Sequence, residues 1–229
     1  MIDVGSIMNC MLKKAIVLLS GGQDSATCLA IAKQKFEDIH CICFDYGQRH
    51  RIEIECSKAL AKRANSTFEC IDITFVKHLS QSALVNETIE IKDTANRLPN
   101  TFVPGRNALF LTLASMIAYE KKCTTIFTGV CQTDYSGYPD CRQDFINSQQ
   151  QTMSLALDSS MKIETPLMYL TKKETVLIMQ KLGLLEWYKD THTCYEGARP
   201  ACGKCPACLL RLKGFQQAGI KDALSYIAE

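Results

Sequence analysis

Two groups of residues have types and spacing that could do chemistry. The first is Ser20-Gly21-Gly22-Gln23-Asp24-Ser25, which follows an apolar run. Glycines let a backbone turn sharply and come close to a ligand. Amides at the start of a helix point outward, and the helix dipole favours an anion there. The hydroxyls of Ser20 and Ser25 add donors, so the loop suits a phosphate or pyrophosphate. It is not a Walker A loop, which needs glycine-lysine before Ser or Thr. It is not the dinucleotide fingerprint either, because Gln23 and Asp24 stand where that motif needs a glycine. The bland alternative is an ordinary strand-to-helix turn.

The second group is Cys194, Cys202, Cys205 and Cys208. Four closely spaced thiolates suit tetrahedral zinc, with Gly203 and Pro206 allowing tight turns between them. Four sulfurs close the coordination shell, so such a zinc is structural. An iron–sulfur cluster also takes four cysteines. His192 lies nearby but is not needed as a ligand.

These residues need a core to position them, and the composition supplies one. The chain has 229 residues, 47% of them hydrophobic and 22% charged, which suits one large domain and excludes a disordered chain. A formal net charge of +2 counts against a protein that grips a long nucleic acid. The 13 cysteines do not read as a disulfide framework. Cys41, Cys43, Cys56 and Cys70 stand in apolar runs and read as small buried hydrophobes in a reducing compartment. No stretch approaches the roughly 20 apolar residues of a membrane span. The run Ala15 to Leu19 after Lys13 and Lys14 is too short for a signal peptide. A cytoplasmic protein is expected, with no membrane and no nucleic-acid partner.

Strand and helix patterns alternate through the first half. Strands are expected at Ala15 to Leu19, Ile39 to Phe44, Thr67 to Ile73 and Thr125 to Thr128. Helices are expected at Ala26 to Lys35, Ile52 to Ala64 and Asn107 to Tyr119, the last apolar nearly all round and so buried. Thr171 and Glu174 form a capping box, and Gly183 stops the helix that follows. This alternation predicts an α/β fold: a Rossmann-like, doubly wound parallel sheet, with a small C-terminal zinc-binding lobe. The loops after Leu19, Phe44, Ile73 and Thr128 should meet in one crevice at the strand ends. The long segment from Leu79 to Pro104 reads as a lid or as a surface excursion. The expected organisation is an extension at residues 1–10, an ATP-binding domain at 11–185 and a zinc-binding helical lobe at 186–229.

The loop resembles the PP-loop of the N-type ATP pyrophosphatases, enzymes of adenine nucleotide alpha hydrolase-like fold that hold the pyrophosphate of ATP there. Five further segments narrow the resemblance. They are Phe44-Asp-Tyr-Gly-Gln-Arg-His50, Pro104-Gly-Arg-Asn107, Asp134-Tyr-Ser-Gly-Tyr-Pro-Asp-Cys-Arg142, Thr165-Pro-Leu167 and the four-cysteine cluster. Together they resemble the 7-cyano-7-deazaguanine (preQ0) synthase family of queuosine biosynthesis, over about Ala15 to Gly219. The resemblance implies an ATP-dependent carbon–nitrogen ligase that turns 7-carboxy-7-deazaguanine and ammonia into the nitrile. It also implies Mg²⁺ with ATP, one structural Zn²⁺ per chain on Cys194, Cys202, Cys205 and Cys208, and a homodimer.

On that resemblance, the nucleotide should contact Leu19, Ser20, Gly21, Gly22, Gln23, Asp24, Ser25, Ala26, Thr27, Cys28, Leu29, Phe44, Asp45 and Tyr46. Asp24 should hold Mg²⁺ or cap the helix, the cap being favoured. Arg106 and Arg142 suit oxyanions. Tyr135, Tyr138 and Asp140 suit a purine-like base. Asn107 and Asp134 stand with them, and Lys172 could neutralise developing charge. The chain shows no glutaminase half, so ammonia should come free or from a partner. Two other readings stand beside this one. A PP-loop enzyme adenylating a tRNA base would want a basic RNA-binding appendage or redox-active cysteines. A non-enzymatic adenine-nucleotide sensor would bind ATP without turnover.

Overall fold

The computed structural model describes residues 13–49, 51–86, 88–91, 98–133 and 137–227. The expected extension at 1–10, His50, and the candidates Asp134 and Tyr135 lie outside the described residues. The strands are β1 (Lys14–Leu18), β2 (Asp38–Asp45), β3 (Thr67–Asp72), β4 (Thr125–Phe127) and β5 (Lys162–Glu164). The helices are α1 (Gln23–Lys33), α2 (Ile52–Arg63), α3 (Arg106–Glu120), α4 (Gln143–Ala156), α5 (Lys172–Lys181) and α6 (Pro206–Ala218). All strand pairs are parallel, in the order β3-β2-β1-β4-β5.

Side chains on a strand alternate between faces. Ile16 and Ile42 therefore join Leu111, Ala114 and Ile146 in a core under α3 and α4. Ala15, Val17 and Cys41 join Leu29, Leu60 and Val176 in a second core under α1, α2 and α5. β1 is an unbroken apolar run because both of its faces are covered. The doubly wound parallel sheet expected from the alternation is thus present.

Some expectations need correction. α3 is not buried all round: Met116 and Tyr119 are about half exposed, at 52% and 51%. The helix packs on the sheet and on α4, and its third side faces outward. Cys70 is exposed, because β3 is the edge strand of the sheet. The elements β5, α4 and α6 were not legible. β5 has three residues, and only Ile146 and Met153 of α4 are buried, too few to mark a helix in a run that also holds four Gln and two Ser.

The capping box forms as expected. Thr171 Oγ1 accepts the Glu174 amide at 3.3 Å, and the Glu174 carboxylate accepts the Thr171 amide at 2.7 Å. α6 enters the second core through Phe215. Arg211, also on α6, is buried yet fully engaged. It donates to both Asp222 oxygens at 2.7 and 2.8 Å, to Thr191 at 2.7 Å and to Thr193 at 3.1 Å. Its guanidinium lies over the rings of Tyr188 and Phe215. Among the described residues no helix is long and apolar enough to cross a membrane.

Candidate active site

A cavity of about 350 Å³ opens at the carboxyl ends of β1, β2 and β4. The strand order reverses beside β1, which is where an open parallel sheet leaves a crevice. The loops after Leu19, Phe44 and Thr128 meet there, as expected. The loop after Ile73 does not line the cavity, because it leaves the edge strand β3. The first turns of α2 and α3 and the segment from His192 to Tyr195 supply further walls. Of the long segment after Leu79, Leu84 reaches the cavity, and its carbonyl accepts the Arg49 amide at 2.8 Å.

Ser20, Gly22, Gln23, Asp24 and Ser25 line the cavity at the amino end of α1. Ser25 Oγ donates to the Gly22 carbonyl at 3.1 Å, and Ser20 Oγ to Ser25 Oγ at 3.3 Å. Gly21 has φ +78°, and a Cβ there would run into the Glu53 carbonyl oxygen and sit 2.9 Å from Cys56 Cβ. The loop is therefore pressed against α2 at Gly21 and open to the cavity at Gly22. Its outer anchor is the His192 amide, which donates to the Gly21 carbonyl at 2.8 Å.

Asp24 does not cap α1. Gly22 is the cap residue, with no side-chain hydrogen bond, and Asp24 sits inside the first turn. Its Oδ2 pairs with Lys172 Nζ at 2.6 Å, while Oδ1 is buried with no hydrogen-bond partner among the described residues. Lys172 opens α5 and reaches the cavity. Ala26, Thr27, Cys28 and Leu29 do not reach it, because the helical turn carries them into the core. Thr27 Oγ1 is bonded to the Gln23 carbonyl at 3.0 Å and to Tyr188 Oη at 2.7 Å.

Phe44 and Tyr46 line the cavity and meet Phe110 of α3, with ring centroids 4.5 and 5.6 Å from it. Asp45 between them points away, to Arg51 and the Gly47 amide. Arg106 Nη1 donates to Tyr46 Oη at 3.2 Å, with its guanidinium over the Tyr46 and Phe110 rings. Burial pushes the Tyr46 hydroxyl up to about 12 against the opposing pull of Arg106. Asn107 and Tyr138 also line the cavity. Asp140 does not, because its carboxylate accepts the Asn107 amide at 3.0 Å at the start of α3. Arg142 is exposed at the head of α4 and lies off the cavity.

Cys194, Cys202, Cys205 and Cys208 converge, their sulfurs all within 4.8 Å of one another. Cys202 Sγ and Cys208 Sγ are 3.9 Å apart. A tetrahedron with metal–sulfur bonds of about 2.3 Å has sulfurs about 3.8 Å apart, so the donor set fits one metal ion. Hydrogen bonding from Cys208 lowers the Cys205 thiol below its ordinary value. The cluster adjoins the cavity, since Cys194 and Tyr195 line its wall.

Glu53 and Tyr195 also line the cavity and were not singled out in the sequence, while Gln48 stood there only within the Phe44–His50 segment and His192 only as a neighbour of the cysteine cluster. Glu53 left one readable mark: it precedes Cys56, Ser57 and Leu60 on the buried stripe of α2. A carboxyl on an apolar stripe is unusual enough to notice. Tyr195 left none, because it arrives from far along the chain.

A family model described as "Queuosine biosynthesis protein QueC" matches residues 14–219. A "7-cyano-7-deazaguanine synthase" of Lysinibacillus sphaericus is 47% identical over 208 residues, covering 90% of this chain and 95% of that one. Among solved structures, the NMN synthetase of Francisella tularensis has a TM-score of 0.51 at 13% identity, covering 94% of this chain and 91% of that one. A predicted tRNA methyltransferase subunit from Methanocaldococcus jannaschii has a TM-score of 0.50 at 17% identity, covering 74% of this chain and 75% of that one. These two structures share the fold. With a family model that matches residues 14–219 and a relative this similar, the chain belongs to the queuosine biosynthesis protein QueC family.

Proposed function

We propose that this chain is an ATP-dependent carbon–nitrogen ligase that converts 7-carboxy-7-deazaguanine and ammonia to 7-cyano-7-deazaguanine. The observation that carries the reading is one cavity, in a chain of this family, that combines the phosphate loop, the cations Arg106 and Lys172 and an aromatic wall. A carboxylate is a poor electrophile because its leaving group would be oxide. Attack by its oxygen on the α-phosphorus of ATP releases pyrophosphate and gives an acyl adenylate. Ammonia adds to the carbonyl carbon, and AMP leaves with the pair of the broken C–O bond. The amide oxygen then attacks the α-phosphorus of a second ATP and releases pyrophosphate, and AMP leaves with the C–O electron pair as two N–H protons depart, giving the nitrile.

The loop from Ser20 to Ser25 takes the pyrophosphate, and Phe44 and Tyr46 border the adenosine. Arg106 and Lys172 balance anionic charge in a site sheltered from bulk water. Mg²⁺ accompanies ATP, and the unpartnered Asp24 Oδ1 is the protein oxygen best suited to meet it. The four cysteines hold Zn²⁺ as a structural ion. ATP binding belongs to residues 11–185 and metal binding to 186–229. The protein works in the cytoplasm as a homodimer.

Mass spectrometry of the deazaguanine product after incubation with ATP and an ammonium salt tests the reading. Formation of the nitrile, with a rate that follows ammonia and not glutamine, is the expected result. Recovery of unchanged acid would overturn it.

A further inference from the structure

Glu53 lies in the first turn of α2 and faces the same cavity as the phosphate loop. Among the described residues, no hydrogen bond or ion pair engages its carboxyl. Its backbone is fixed on both sides: the carbonyl accepts Ser57 Oγ at 2.9 Å and abuts Gly21 of the loop. The charged and titratable groups around it are Arg106 from α3, Tyr46 and Cys43 from β2 and its loop, Tyr195 from the cysteine lobe, and Cys56 on its own helix. Burial raises the Glu53 carboxyl to about 7, with Arg106 opposing the shift. The environment thus leaves an unbonded carboxyl, on a backbone fixed against the phosphate loop, next to the place where ATP chemistry would occur.

Resting on the ligase reading above, we propose that Glu53 is the general base that removes the protons of the incoming nitrogen. Addition of ammonia to the activated carboxyl gives an N-protonated tetrahedral adduct. A proton passes from that nitrogen to a Glu53 oxygen. The adduct then collapses, the C=O bond reforms, and AMP leaves with the C–O electron pair. In the second activation the same carboxylate takes two N–H protons in turn, the first from the O-adenylated amide and the second as the C–O bond breaks, C≡N forms and AMP leaves with the C–O electron pair. Solvent receives each proton before the next is taken. Adenylation of the carboxylate releases no proton, so that half-reaction does not need Glu53. A base poised near the working pH suits this task.

The experiment compares wild type, Glu53→Gln and Glu53→Asp in three assays, with melting temperature measured on each preparation. The assays are carboxylate-dependent ATP–pyrophosphate exchange without ammonia, nitrile formation, and the pH profile of nitrile formation at constant free ammonia. Glu53→Gln should keep exchange within about twofold and lose nitrile formation by about 10²–10⁴-fold. Glu53→Asp should recover part of the rate. The wild-type rate should rise with pH through about 7, as the carboxyl ionises, and this limb should vanish in Glu53→Gln. Full nitrile formation by a folded Glu53→Gln would overturn the proposal. Equal loss of exchange and nitrile formation would overturn it too, and would assign Glu53 to binding substrate or metal. Absence of nitrile from wild type would overturn the ligase reading itself.

Discussion

At Gly21 the chain has no room for a side chain. The positive φ and the abutting backbone of α2 both require glycine there. Gly22 differs, since a Cβ there would lie 3.6 Å from the His192 carbonyl and 3.7 Å from Ser20 Oγ, which is ordinary contact. The two glycines therefore have separable roles. Gly21→Ala should lower the melting temperature, because α2 or the loop must shift. Gly22→Ala should leave the melting temperature within about 2 °C of wild type and weaken ATP binding, because its methyl group stands where backbone should meet phosphate. Thermal melts with titration calorimetry of both variants check this. Equal destabilisation by the two would show that the loop is packed on both sides.

At the scale of elements, the decisive joint is between α6 and the segment from Tyr188 to Thr193. Arg211 is 1% exposed, so its charge depends on Asp222. Burial alone would raise the Asp222 carboxyl, but hydrogen bonds and charge from Arg211 outweigh it, and the group sits below its ordinary value of 3.8. A carboxyl depressed in the folded state stabilises the fold above its unfolded pKa. That contribution is lost as pH falls through the folded value. Asp222→Asn should destabilise the protein by about 3–5 kcal/mol at neutral pH by leaving a buried cation unpaired. Its stability should then fall less steeply than wild type below about pH 4. Denaturant unfolding of the two proteins at pH 7 and pH 3 measures both effects. An unchanged midpoint at neutral pH would mean that the Thr191 and Thr193 hydroxyls suffice for Arg211.

On the scale of the whole molecule, the cysteine cluster and the phosphate loop are one assembly. The chain runs from His192, bonded to the Gly21 carbonyl, to Cys194 within two residues. A metal ion in the cluster would fix that short segment, and through it the loop, without meeting substrate. Cys205→Ser, or chelation of the wild type, should therefore lower metal content, melting temperature and ATP affinity together. Metal analysis, melting and ATP titration on one preparation check the link. Full ATP affinity in a metal-free protein would separate the two sites.

The sequence by itself determined the kinds of parts. A buried strand that breaks into glycines, strands alternating with helices, and four cysteines at short spacing are local patterns, set by nearby residues. β1, α1, β2, α2, β3, α3 and β4 were therefore legible to within a few residues. So was the capping box at Thr171, since both of its partners lie within three positions. Tertiary structure alone decided which side chains share the cavity. Asp140 and Arg142 looked like binding residues, but one caps α3 and the other faces solvent, because the direction of a side chain depends on what its element packs against. Asp24 finds Lys172 across 148 positions, and the His192 amide finds Gly21 across an even longer span of chain. Glu53 acquires its raised proton affinity from burial, which outweighs the opposing charge of Arg106, a property of the assembled site. Spacing along a chain governs contacts within a turn or a hairpin. Burial, charge environment and convergence depend on separations that only the folded sheet brings to zero.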